Sequence, residues 1–308
     1  MAYPIEQKLV VGISSNALFD LRKEDEIFRN KGLSAYRKHQ QKNKDVILKP
    51  GVAFPFIKRF LDINEMYEKE EPVEVVLMSR NSPETGVRIF NSIKEHNLNI
   101  TRCAFMSGSS PAKYIPAFNI SLFLSTNEED VKEALSMNLP AGRIIQNDIT
   151  NEDFSDELRI AFDFDGVIAD DEAEKVYKEK GIEEYRKYEQ EMKCSPLHPG
   201  PLGDFFLKLS GFQRLESVKL QKDKQYKKIL KTAIVTARNA PAHERAINTL
   251  NSWGVEVDEM FLLGGINKSR VLEIMKPHLY LDDQLSHLDT SAMKSIPLVH
   301  IPFGVANK

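Results

Sequence analysis

The stretch Arg159-Ile160-Ala161-Phe162-Asp163-Phe164-Asp165-Gly166-Val167 sets the architecture of this chain. A short, mostly apolar run enters two aspartates and a glycine, the pattern of a buried strand that ends where the chain turns. Three similar runs follow, Thr232-Ala233-Ile234-Val235, Met260-Phe261-Leu262-Leu263 and His278-Leu279-Tyr280-Leu281. Helical stretches separate them: a long charged one from about Asp171 to Lys193, then Pro241 to Trp253, then Lys268 to Met275. Strands alternating with helices predict a parallel sheet covered on both faces.

Working outward, the same order appears earlier in the chain, with predicted strands at Val10–Ile13, Val73–Met78, Arg102–Phe105 and Ile120–Leu124. The chain is duplicated. Glu26–Lys38 (EIFRNKGLSAYRK) aligns with Lys175–Lys187 (KVYKEKGIEEYRK) at an offset of 149, matching Gly32 with Gly181 and Tyr36 with Tyr185. The same offset pairs Lys49-Pro50-Gly51 with His198-Pro199-Gly200. Arg80-Asn81-x-Pro83 pairs with Arg238-Asn239-x-Pro241 at 158, Lys113 with Lys268 at 155, and Leu124-Ser125-Thr126 with Leu281-Asp282-Asp283 at 157. Collinear matches with so little drift predict two homologous halves, 1–153 and 154–308, joined near residues 147–153.

Composition supports a globular reading. The chain has 308 residues and 35.1 kDa, with 42% hydrophobic and 28% charged residues, which excludes a disordered or collagenous polymer. Lys+Arg number 42 against 45 Asp+Glu, so no global positive field advertises a nucleic-acid polymer or an anionic membrane. The apolar runs are far shorter than the roughly 20 residues of a membrane helix, and the first residues lack a signal-peptide pattern. Cys103 and Cys194 are too few for a disulfide framework. These features predict a soluble, cytoplasmic protein.

Parallel folds place ligands at the carboxyl ends of their strands. In the second half those ends carry Asp163 and Asp165, then Thr236, then Lys268 at the next helix start, then Asp282 and Asp283. Four converging carboxylates repel one another unless a cation compensates them. A hard divalent ion with oxygen ligands does so, and Mg²⁺ is the usual choice beside a phosphate. Lys268 and helix N-termini could hold an anion facing that ion. The set suits phosphoryl transfer, in which positioning and charge stabilisation dominate.

These residues resemble the four motifs of haloacid-dehalogenase-like phosphatases. The resemblance implies an α/β fold of two tandem Rossmann-like halves with helical cap insertions, the cap of the second half spanning about 171–231. It implies Asp163 as nucleophile, Asp165 as general acid/base, Thr236 holding a phosphoryl oxygen and Lys268 neutralising charge. It also implies Mg²⁺ held by Asp163, Asp165, Asp282 and Asp283, with Phe164, Ala237, Arg238 and Asn239 lining the substrate side. Gly12–Asp20, Leu48–Pro55, Ser79–Gly86, Asp163–Glu174 and Ile301–Gly304 together resemble the cytosolic 5′-nucleotidase I family. That likeness implies a nucleoside 5′-monophosphate such as AMP as substrate, with Arg80 of the first half contributing to its binding. A phosphatase or phosphotransferase for another small phosphomonoester, and a nucleotide sensor without turnover, are the alternatives. The sequence leaves a homo-oligomer open.

The duplication allows an internal comparison. Asp165, Thr236, Asp282 and Asp283 face Ser15, Met78, Ser125 and Thr126 in the first half, which therefore reads as a degenerate copy with a substrate-binding, regulatory or structural role. The shared Arg-Asn-x-Pro motif also has a plain reading as a turn and helix start. Phe205, Phe206 and Tyr177 are candidates for stacking a base, against the commoner role of aromatic residues as core.

Overall fold

The computed structural model describes residues 3–67, 70–147 and 157–307. The chain divides into two compact units, Met1–Leu139 with Gln146–Ile149, and Pro140–Ile145 with Thr150–Lys308. The expected junction lies, apart from Asn147, outside the described residues.

The first unit runs β1 (Leu9–Ile13), α1 (Ser15–Leu18), α2 (Arg22–Lys42), α3 (Phe54–Met66), β2 (Val73–Ser79), α4 (Pro83–Glu95), β3 (Arg102–Phe105), β4 (Ile120–Ser125) and α5 (Glu128–Ser136). Its strands lie in the order β3-β2-β1-β4, all parallel. Every residue of β1, β2 and β4 is buried, which is why these strands read as continuous apolar runs rather than alternating ones.

The second unit holds β5 (Ala141–Ile144), β6 (Leu158–Phe162), α6 (Glu172–Glu191), α7 (Gly203–Lys222), β7 (Leu230–Thr236), α8 (His243–Ser252), β8 (Glu259–Leu262), α9 (Ser269–Met275), β9 (Leu279–Asp282) and β10 (Leu298–His300). The order β8-β7-β6-β9 reproduces that of the first unit, and β10 and then β5 extend it. Only β5 runs antiparallel. The expected α/β architecture with a mostly parallel sheet is thus present. Strand β5 groups with the second unit, although the sequence reading runs the first half through residue 153.

The aligned motifs do the same structural work twice. Lys49-Pro50-Gly51 and His198-Pro199-Gly200 each bridge back to the chain after the first strand, through Phe19–Pro50 and Ala169–Pro199. Gly32 and Gly181 kink α2 and α6, with φ of 76° and 82° and ψ near 180°. That backbone region is essentially reserved for glycine.

Helix α7 packs Phe205 and Phe206 on Phe162, at ring separations of 6.3 and 5.1 Å. Both are fully buried, so they are core and neither is available to stack a base. Within the expected cap of 171–231, α6 supplies the side chains that pair with the arginines after β7 and on α8, Glu189 with Arg238 and Arg245 and Glu172 with Arg245. Tyr177 on α6 is 48% exposed. No helix among the described residues is long and apolar enough to cross a membrane.

Candidate active site

Strand β6 delivers Asp163 one residue past its last ladder position, where its N–H donates to the Leu281 carbonyl at 2.8 Å. The side chain is buried, and Oδ1 accepts the Phe164 N–H at 2.7 Å. Oδ2 lies 2.7 Å from Lys268 Nζ, which also reaches Asp282 Oδ2 at 2.7 Å. One buried ammonium therefore bridges two buried carboxylates. Asp282 accepts in addition from Tyr280 and lies 3.2 Å from His287 Nδ1. Burial pushes the Asp163 carboxyl upward; Lys268 opposes this and Asp282 adds to it. Burial would also raise Asp282, but Lys268 and His287 hold it well below the usual carboxylate range. Burial works against the Lys268 ammonium, yet the two aspartates hold its pKa above the ordinary lysine value.

Asp165 takes a different partner. Arg238 Nε and Nη2 donate to its two oxygens, each at 2.7 Å, a bidentate ion pair. The guanidinium is itself buried, ion-paired with Glu189 of α6, and lies 5.2 Å from the Phe164 ring centroid. Glu189 also accepts from Arg245 Nη1 at 2.8 Å, and Arg245 Nη2 donates to Glu172 at 3.1 Å. This network ties α6 and α8 to the residue two positions beyond Asp163.

Asp283 has no such partner. Both carboxylate oxygens are buried without a hydrogen-bond partner. Burial, then Asp163, Asp282 and Glu174, push its carboxyl up to about 9. Gly166 makes the room, since a Cβ there would fall 2.5 Å from Asp283 Oδ2. Buried polar groups are normally satisfied, and a bare carboxylate among carboxylates is what an oxygen-ligated cation would relieve. Asp163 and Asp283 suit that role. Asp165 and Asp282, also expected as ligands, accept from Arg238 and from Lys268, Tyr280 and His287, just as Asp163 accepts from Lys268 and the Phe164 N–H. Asp163, Asp282 and His287 do bring ligand atoms within 4.8 Å of one another, but the Lys268 ammonium already bridges the two aspartates there.

The remaining expected residues fall as follows. Thr236 ends β7, is buried, and accepts from the Arg238 N–H at 3.2 Å. Phe164 is fully buried, Ala237 is exposed and Asn239 is half-buried, its amide beside Gly264. Arg80 belongs to the first unit, where Nε and Nη2 donate to Asp130 Oδ1 at 2.9 and 2.6 Å. Sequence reasoning passes over Tyr280, His287 and Glu189. Tyr280 lies two residues before Asp282 on one strand and so shares its face, a signal that was available. His287 and Glu189 carry none, because their partners are distant in sequence or set by a loop.

The first unit repeats the frame with other side chains. Ser14 N–H donates to the Leu124 carbonyl at 2.9 Å, as Asp163 does to Leu281, so Ser14 stands in the Asp163 position and Asn16 in that of Asp165. The β1–β2 ladder pairs Ile13 with Leu77 and the β6–β7 ladder pairs Phe162 with Ile234. That register places Ser79, rather than Met78, opposite Thr236. Ser79 Oγ accepts from the Asn81 N–H at 3.1 Å, the contact that Thr236 makes with Arg238. Ser125 accepts from the Asn127 N–H as Asp282 accepts from that of Gln284. Lys113 does not reproduce Lys268: it is exposed, its ammonium 5.0 Å from the Tyr114 ring centroid.

An acid-lined parallel-sheet end with a bridging lysine has the charge to hold a phosphoryl group beside a cation. The 5′-nucleotidase family model matches residues 1–308, and the chain belongs to that family. It is 32% identical over 287 residues to human cytosolic 5′-nucleotidase 1B, an alignment covering 91% of this chain and 47% of the relative. The chain thus spans about half the length of that curated relative.

Proposed function

We propose that the chain is a cytosolic, Mg²⁺-dependent 5′-nucleotidase that hydrolyses nucleoside 5′-monophosphates, AMP among them, to nucleoside and phosphate. Family membership supports the reaction class, and the name of the human relative supports the nucleotide and the cytosolic setting. The observation that carries the chemistry is the Asp163 carboxylate held 2.7 Å from a buried ammonium, beside the bare Asp283 carboxylate.

An Asp163 oxygen attacks phosphorus, a P–O bond forms, and the bond to the sugar O5′ breaks. Asp165 delivers a proton to the departing O5′ and then takes one from the water that attacks the aspartyl-phosphate, releasing phosphate and Asp163. Both Asp165 oxygens accept from Arg238, so Asp165 exchanges this partner before it carries a proton. Lys268 and the Thr236 hydroxyl stabilise charge on the phosphoryl oxygens. Mg²⁺, when bound by Asp163 and Asp283, supplies neutralisation of the carboxylates and of the phosphoryl group. The first unit is a degenerate copy that does not hydrolyse.

Phosphate release from AMP, IMP, dTMP and glucose 6-phosphate, with Mg²⁺ and with EDTA, tests this reading. Magnesium-dependent release from the nucleotides, exceeding that from the sugar phosphate, is expected. A preference for glucose 6-phosphate, or no release from any of the four, would remove the assignment.

A further inference from the structure

Hydrolysis does not account for the cavity at the strand ends of the first unit. It has a volume of about 480 Å³ and is lined by Ser14, Ser125, Thr126, Arg80, Phe28 and Leu33, among others. That volume suits a small organic ligand. Two polar atoms of the lining, Ser14 Oγ and Asn81 Nδ2, are buried without a partner. Orphaned groups of this kind are rare unless a ligand or water completes them.

The charge pattern is inverted relative to the second unit. Ser14, Asn16, Ser125 and Thr126 stand where that unit carries Asp163, Asp165, Asp282 and Asp283. The positions themselves hold hydroxyl and amide groups, and of the carboxylates that line the cavity Asp130 accepts from Arg80 and Asp25 from Asn16. Three of the five N–H groups of Arg80 go to Asp130 and the Gly108 carbonyl, leaving two for an anion. Arg29 and Arg37 line the same cavity. On α2, Phe28 and Leu33 flank the Gly32 kink and are 50% and 49% exposed, offering apolar surface to the rest of a ligand.

The geometry points to a second ligand site: the first unit binds a phosphorylated small molecule bearing an apolar or aromatic ring, without a divalent ion and without turning it over. Turnover is absent because Asn16, in the position of the acid/base, cannot accept a proton. The inference stands apart from the hydrolysis proposed above.

The test is calorimetric titration of the full chain in EDTA with AMP and, separately, inorganic phosphate. One equivalent of AMP should bind, and D163N should bind it equally. Phe28→Ala should weaken AMP about tenfold, the loss expected from one partly buried aromatic contact, and leave inorganic phosphate within about twofold. Ser125→Asp keeps an acceptor for the Asn127 N–H, as Asp282 does for Gln284, but puts a carboxylate against the anion, so it should abolish both. Phe28 is half exposed, so F28A remains informative if S125D does not fold. No AMP binding in EDTA would overturn the inference, as would binding that persists in F28A but is lost in D163N. Magnesium-dependent phosphate release is measured on the same wild-type sample. Binding in EDTA without release would sink the hydrolysis and leave this site standing; release without binding in EDTA would do the reverse.

Discussion

The two sets of strand ends in this chain share a scaffold and differ in charge. In the second unit, Asp163, Asp282 and Asp283 are buried together, one lysine bridges two of them, and the third has nothing. In the first, the same positions hold Ser14, Ser125 and Thr126, and the lysine is missing from the frame. Burying charge is costly unless it is paired or coordinates a metal. The acidic cluster therefore has a structural cost that only function explains, whereas its neutral counterpart folds without one. Features kept in both units, such as the kinked helix and the Pro-Gly bridge, belong to the scaffold. Features kept in one unit mark chemistry.

The largest effect expected from breaking this contrast is on turnover. Asp163→Asn should lower phosphate release from AMP by at least about 10³-fold, with the circular dichroism spectrum unchanged. Appreciable residual activity would remove the nucleophile assignment.

A second contrast lies behind the strand ends. Glu189 is fully buried between Arg238 and Arg245, while Gln40 of α2, 1% exposed, accepts from Arg88 at 3.1 Å and donates to Tyr36 at 3.1 Å. Glu189→Ala strands buried guanidinium charge and should cost roughly 3–5 kcal/mol in denaturant unfolding. Gln40→Ala removes an uncharged side chain and leaves Arg88 still paired with Glu24, so it should cost about 1–2 kcal/mol. Equal costs would show that Glu189 is no more demanding than its uncharged counterpart.

Asp283 adds a pH dependence. Its folded carboxyl is raised to about 9, so the protonated form is favoured in the folded state. That contribution is fully present below the unfolded value near 4 and is lost as pH rises toward 9. Metal-free protein should lose stability across that window with a slope of at most about 1.4 kcal/mol per pH unit. Asp283→Asn should flatten the slope, and Mg²⁺ should restore stability at high pH by mass action. Thermal melts at several pH values read each of these outcomes. The smallest effect belongs to the kink glycines: Gly32→Ala and Gly181→Ala should each cost about 1 kcal/mol, because both force a side chain into a glycine-only region. Unequal shifts in thermal midpoint would show that the two kinks are not equivalent.

Much of this was legible in the sequence, for physical reasons. Three strands of each repeat are wholly or largely buried and so appear as apolar runs, while β3 and β8 are only partly covered, and the motif residues sit where those runs stop. Strands β10 and β5 have no counterpart in the first repeat, so the duplication that supports the other short strands gives no signal for them. Ser15 is the expected partner of Asp165, but the strand-end hydrogen bonds give Asn16, as the offset of 149 does; Met78 is the expected partner of Thr236, but the ladders give Ser79, because an extra residue, Ala237, follows the strand in the second copy. Phe205 and Phe206 read equally as cap or core until Phe162 is seen beneath them. The partners Glu189 and His287 depend on tertiary packing that no local pattern records.

The most direct test of the central claim is to load metal-free protein with Mg²⁺ and follow phosphate release from AMP in parallel with Asp283→Asn. Release that starts on addition of magnesium and is lost in the variant is the predicted result. Equal release in EDTA, or a variant as magnesium-responsive as the parent, would contradict it.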